Sequence, residues 1–143
     1  MGSGRIPPFA LDLPKSWEDH TVYSFMGPDE GGIVHTMQLI VDPHAGRTDL
    51  EEYARERIDA TLDALQDAEV LKEEHKSLAN GVDAYECVLK WFPGGDQVSF
   101  RKHVYLITGG VGYSFSCNFS KRTLKTIGVE MDRIIESLQQ LDS

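Results

Sequence analysis

Val111-Gly-Tyr-Ser-Phe-Ser-Cys-Asn-Phe119 alternates without a fault. Val111, Tyr113, Phe115, Cys117 and Phe119 fall on one side, and Gly112, Ser114, Ser116 and Asn118 on the other. A period of two is the mark of a strand with one buried face. Working back from it, Gly109-Gly110 is a hairpin turn and Gln97–Thr108 a second strand. Pro93-Gly94-Gly95-Asp96 is the next turn. It follows a strand over Val82–Phe92, with Tyr85, Cys87, Leu89 and Trp91 on one face. Asn80-Gly81 predicts a tight hairpin in which both central residues take positive φ. It leads back to a mixed, partly exposed strand over Glu69–Leu78. The second half of the chain therefore reads as an antiparallel meander.

Helices flank that meander. Downstream, Leu124, Ile127, Met131, Ile134, Ile135, Leu138 and Leu141 repeat at helical spacing and predict a helix over Leu124–Leu141. Its apolar stripe needs a cover, and the sheet is the available one. Gly128 on the same stripe allows close approach. Upstream, Thr48-Asp-Leu-Glu51 reads as a capping box opening a helix to Leu65. Leu50, Tyr53, Ala54, Ile58, Leu62 and Leu65 share one face, and the acids of that segment form a solvated face. Before this helix the pattern predicts three strands: Phe9–Leu13, stopped by Pro14; Thr21–Met26, after a turn anchored by Trp17; and Ile33–Val41. Gly27–Gly32 joins the last two as a hairpin. The expected class is α+β, a twisted antiparallel sheet with two main helices packed on it, in one domain over 1–143 with an ordered core of about 9–141.

Composition narrows the function. The chain has 143 residues, 41% of them apolar, and a net charge of −9. A strongly acidic surface argues against nucleic acid and anionic membranes as partners. No leader, lipobox or transmembrane stretch is visible, so a cytoplasmic location without stable membrane insertion is expected. Gly109-Gly110-Val111-Gly112 lacks the Lys-Ser/Thr of a phosphate loop. His20, His35, His44, His75 and His103 are scattered singly and predict no metal site. Cys87 and Cys117 lie on strands that flank Gln97–Thr108. Two strand spacings, about 9.6 Å, exceed disulfide reach, so both are expected as buried free thiols. No acid stands on an apolar face, and all read as solvated. No catalytic residue, cofactor or enzymatic activity is expected.

Three residues do not fit a plain scaffold. Arg57 lies on or beside the helical stripe; His103 shares a strand face with Arg101, Tyr105 and Ile107; Gln38 lies between Thr36 and Ile40, opposite Met37. They are either edge-of-core residues, Arg57 and His103 packing on Tyr53 and Tyr105, or polar donors at the wet rim of a partner-binding surface.

The order of the short motifs carries a resemblance. Phe9-x-Leu-x-Leu-Pro14, Ser16-Trp17-x-Asp19, Thr21-Val-Tyr-Ser-Phe25, a Leu50-x-x-Tyr53 helix, a long meander and a C-terminal helix follow in that sequence. The chain resembles the DcrB-like family of small bacterial domains, and within it the Eag chaperones of type VI secretion. The resemblance implies a PsbP-like α/β sandwich. It also implies a cytoplasmic, homodimeric adaptor that cradles the hydrophobic N-terminal transmembrane helices of an effector before loading. Its groove would be the sheet face and the first helix. Val22 matches an apolar contact of that groove, and Arg57 and His103 stand where the family has glutamines. The departure matters, because glutamine donates and accepts whereas arginine only donates. With Gln38 these residues form the expected partner-binding set. The alternative is a DcrB-like domain with another non-catalytic role, in an envelope-associated version opposed by the absent leader.

Overall fold

The computed structural model describes residues 11–65 and 67–140. Six strands form one antiparallel sheet: β1 (Val22–Glu30), β2 (Ile33–Asp42), β3 (Glu69–Ser77), β4 (Asp83–Gly94), β5 (Gln97–Thr108) and β6 (Val111–Phe119), in the order β1-β2-β6-β5-β4-β3. Two helices complete it, α1 (Leu50–Ala64) and α2 (Ile127–Glu136). The β1–β2 hairpin comes first. α1 then carries the chain across the sheet to the far edge, and the meander β3–β6 returns until β6 pairs with β2.

The helices take opposite faces. Strand parity sends Tyr85, Cys87, Leu89 and Tyr105 to α1, where they meet Tyr53, Ala54 and Ile58. The same parity sends Tyr113, Phe115, Cys117 and Phe119 to α2, where they meet Ile127, Met131 and Ile135. Burying a side chain such as Ile58 is worth about 2–3 kcal/mol. Cys87 and Cys117 are free and buried, and they lie on opposite faces, which separates them more firmly than strand spacing alone.

Several local expectations are corrected. Phe9 and Ala10 lie outside the described residues, as does Leu141. Leu11–Leu13 is not a strand, and its leucines are exposed, because no strand among the described residues pairs with it. Trp17 is exposed rather than an anchor, and among the described residues its backbone closes a turn to Pro14. β1 does not stop at Met26. It runs through Gly27-Pro28 as a bulge and turns at Gly31-Gly32. The Pro28 carbonyl accepts from His35 Nδ1 (2.7 Å), and Nε2 of the same buried ring lies 2.7 Å from the Thr123 hydroxyl. The α1 N-cap is Asp49, whose carboxylate accepts from the Glu52 amide (3.2 Å), while Thr48 turns back to the Ala45 carbonyl. At Asn80-Gly81 only Gly81 takes positive φ, in a wider loop closed by Leu78 and Val82. α2 is shorter than its apolar stripe. A hydroxyl-bonded turn from Ser120 to Thr123 precedes it, yet Leu124 and Leu138 still pack on the core.

One acid departs furthest from expectation. Glu86 on β4 is buried beneath α2, against the reading of every acid as solvated. Lys76 (2.8 Å), Lys102 (3.0 Å) and Lys72 (3.2 Å) surround its carboxylate, and Asp132 of α2 shares Lys102 (2.6 Å) and Lys76 (3.4 Å). Burial alone would raise the carboxyl. The hydrogen bond from Lys76 and the charge of Lys102 outweigh it and hold Glu86 at about 2. A buried acid of this kind is a satisfied structural charge.

Candidate functional site

A six-stranded sheet is about 24 Å wide, and one helix covers about 10 Å of it. α1 packs on β4 and β5 and reaches β6 and β2 only at Gly112 and Asp42, so among the described residues no helix covers the rest of that face over β1, β2 and β6. Register places its residues in three cross-strand rows. Val22, Ile40 and Ser114 lead to Tyr105. Ser24, Gln38 and Ser116 lead to His103. Met26 and Thr36 lead through Asn118 to Arg101. The result is a trough. Apolar side chains stand exposed toward the sheet edge, with Val22 at 49%, Ile40 at 46% and Met26 at 80%. Short hydrogen-bonding groups make the floor, and α1 with Trp91 makes the wall.

Gly112 seats that wall. A Cβ there would meet the Tyr53 ring, with Cζ at 2.5 Å and Cε1 at 2.9 Å, so only glycine lets α1 lie this close to β6. Asn118 extends the β2–β6 ladder with its side chain: the Thr36 amide donates to Oδ1 (2.9 Å), and Nδ2 donates to the Val34 carbonyl (3.2 Å).

The structure brings Val22, Gln38 and His103 onto this one face, with Gln38 and His103 in a single row separated by Ser116. Arg57 lies at its margin on α1. Its guanidinium is already engaged, 3.4 Å over the Tyr53 ring and bonded to Asp42 (3.2 Å) and the Tyr53 carbonyl (3.1 Å). His103 is not at a wet rim. It is 6% exposed, stacked beside Tyr105 at 6.2 Å, and its Nε2 has no hydrogen-bond partner among the described residues. Burial, then the nearby Arg101 charge, pushes its imidazole down to about 3, so it is uncharged at neutral pH.

Sequence reading missed Trp91 and Arg101 as site residues. Both line a cleft of about 360 Å³ at the Met26–Arg101 end of the trough, with Thr36, Gln38, Ser99 and Asn118. The signal that could have found them was parity: Arg101 shares the His103 face, and Ser99 pairs with Trp91 on it. Among the described residues no group of three or more His, Cys, Asp or Glu could hold a metal ion, and no helix is long and apolar enough to cross a membrane.

Known structures share this architecture. The fold is PsbP-like. The solution structure of the cyanobacterial PsbP protein CyanoP from Synechocystis superposes with a TM-score of 0.57 at 12% identity, covering 91% of this chain and 98% of that one. The crystal structure of PA94 from Pseudomonas aeruginosa, a protein of unknown function, superposes with a TM-score of 0.73 at 14% identity, covering 93% of this chain and 92% of that one. No family profile matches the sequence, and no curated protein matches it. At these identities the likeness concerns the PsbP-like fold alone.

Proposed function

We propose that this PsbP-like domain is a non-catalytic binding module whose working surface is the trough over β1, β2 and β6. One observation carries the reading: among the described residues much of one sheet face is left open, with apolar residues at its edge and a floor of uncharged hydrogen-bonding groups, one of them the buried His103, whose Nε2 has no partner there. The occupant that suits such a surface is an apolar helix. Its side chains meet Val22, Ile40 and Met26, and its backbone carbonyls, exposed where small residues line it, accept second hydrogen bonds from Gln38 and His103. Arg57 acts through Tyr53 and Asp42, holding the wall rather than touching the occupant.

The resemblance to the Eag chaperones supplies a finer reading. The occupant is then a hydrophobic N-terminal transmembrane helix of a type VI secretion effector, held by a cytoplasmic homodimer until loading. The PsbP-like fold supports the coarser reading most directly, a DcrB-like domain of non-catalytic role.

A Lys-flanked Leu/Ala/Gly helical peptide tests the coarser reading. In the Trp17→Phe protein Trp91 is the single tryptophan, and its emission reports the trough wall. Saturable change with this peptide, lost in Val22→Asp/Gln38→Glu, is expected; no change refutes the trough. Co-expression with the N-terminal segment of a secreted effector encoded beside this gene tests the finer reading, with light scattering for the dimer. A monomer that leaves that segment insoluble removes the chaperone role.

A further inference from the structure

We propose that the cleft beside Trp91 binds a carboxylate, with Arg101 as its countercharge. The proposal takes from the reading above only the path a partner's chain would follow; the chemistry rests on the cleft. Its volume, about 360 Å³, is that of a small-ligand site.

Arg101 is the decisive group. The two arginines of α1 each have a carboxylate: Arg55 pairs with Glu73, and Arg57 with Asp42. Arg101 is also partly sheltered, yet it has no carboxylate and no hydrogen-bond acceptor among the described residues. This happens on a chain with 23 acidic and 14 basic side chains, where a partner would be easy to supply. Burial pulls its guanidinium below the ordinary value, opposed only by the Tyr105 phenol. A sheltered guanidinium with five unused donors is built for an acceptor that arrives from outside.

The surroundings select the kind of acceptor. Every other side chain lining the cleft is uncharged, and the neighbouring His103 is held neutral. One net positive charge fits a monoanion better than a phosphate dianion. The indole Nε1 of Trp91 is buried and without a partner among the described residues, so its N–H reports the packing of the cleft wall rather than touching the ligand. Ser99, Ser116 and Thr36 add hydroxyls. A carboxylate offers two oxygens with about four acceptor sites, enough for the guanidinium fork and one or two of these donors. Trp91 and Pro93 form a flat apolar wall for the body that carries the carboxylate. That body is either a free organic acid or the Asp or Glu side chain of a segment lying in the trough.

Nuclear magnetic resonance of the Trp17→Phe protein tests this, since its only indole N–H belongs to Trp91. Benzoate is expected to shift that resonance saturably, and the neutral isostere benzamide is not. Arg101→Met is expected to abolish the shift while the rest of the spectrum stays dispersed. Arg101→Lys, which keeps the charge and loses the fork, is expected to weaken binding about tenfold. A Leu/Ala peptide carrying one Glu, set against its Gln counterpart, separates the sources. Tighter binding of the Glu peptide than of benzoate assigns the carboxylate to a partner's chain, and binding of benzoate alone assigns it to a free acid. The proposal is overturned if benzamide binds as well as benzoate, if sulfate shifts the resonance equally, if folded Arg101→Met still binds, or if none of these probes moves Trp91. Benzoate binding without binding of the apolar helix would remove the trough reading and leave the carboxylate site standing.

Discussion

Acidification should unlock the charge network under α2, and Glu86 sets the magnitude. Its carboxyl ordinarily titrates at 4.5 and is held at about 2 in the fold. At 1.36 kcal/mol per pKa unit the difference is worth about 3 kcal/mol of stability at neutral pH. The sign follows from the direction. A depressed carboxyl binds its proton more readily in the unfolded chain, so the contribution is complete above pH 4.5. It fades as the pH falls and is gone once the pH has passed through about 2. Urea unfolding of the parent and of Glu86→Gln, at steps from pH 7 to pH 2, measures it. At pH 7 the variant should be less stable by about 3 kcal/mol, because Lys76 and Lys102 lose the Glu86 carboxylate and keep only Asp132. As the pH falls toward 2 the parent should lose most of its advantage, leaving a small gap. Parallel curves, with the gap unchanged from pH 7 to pH 2, would show that Glu86 does not titrate as derived.

Three further outcomes are expected. Gly112→Ala should destabilise the fold by about 1–3 kcal/mol in urea unfolding, because its methyl group meets the Tyr53 ring. A double-mutant cycle with Tyr53→Leu should recover part of that loss, and strict additivity would mean that Tyr53 is not the obstacle. Cys87 and Cys117, both pushed up to about 11 by burial, should resist disulfide-exchange reagents at pH 8 until the chain unfolds; labelling of the native protein within minutes would contradict this. Arg57→Ala should cost about 1 kcal/mol by thermal denaturation, the sum of a half-exposed ion pair and a cation–π contact, and a far larger loss would place Arg57 in the core.

Local alternation proved legible wherever it was complete. Val111–Phe119 has the predicted bounds because each residue agrees with its neighbour two positions on, and Gln97–Thr108 has them because a turn closes it at each end. Leu11–Leu13 shows why a short alternation misleads: a strand exists only with a partner, and none lies beside it among the described residues. The tail of the last helix failed for a related reason, since Leu138 can cover the core from an irregular segment as well as from a helical one. Gln38 and His103 could be singled out by parity along their own strands. That they stand in one row could not, because it depends on the pairing of β2 with β6, more than seventy residues apart. Glu86 was open to the same parity argument. It alternates with Ala84 and Val88, and Lys102 holds the matching inward position on the next strand. The burial of one charge is readable only through the other.

The makeup of the two faces distinguishes a working surface from one that is merely uncovered. Where β3 faces water on the α2 side it carries Lys72 and Glu74, the ordinary solution for an exposed strand on a chain with 26% charged residues. The open rows of β2 and β6 instead present Thr36, Gln38, Ile40, Ser114, Ser116 and Asn118, with no charge among them. Asn118 extends the ladder and Thr36 and Ile40 suit a strand, but for a surface that only meets water nothing requires the absence of charge from Gln38, Ser114 and Ser116. It matters if the surface is to be covered, because desolvating a hydroxyl or amide that then finds a partner costs little, whereas desolvating an unpaired lysine or glutamate costs several kcal/mol. Val22 and Met26 at the margin add apolar area that water gives up readily. Arg101 is the exception that the same reasoning requires: a lone charge beside an otherwise neutral surface is tolerable when the incoming group brings the opposite one.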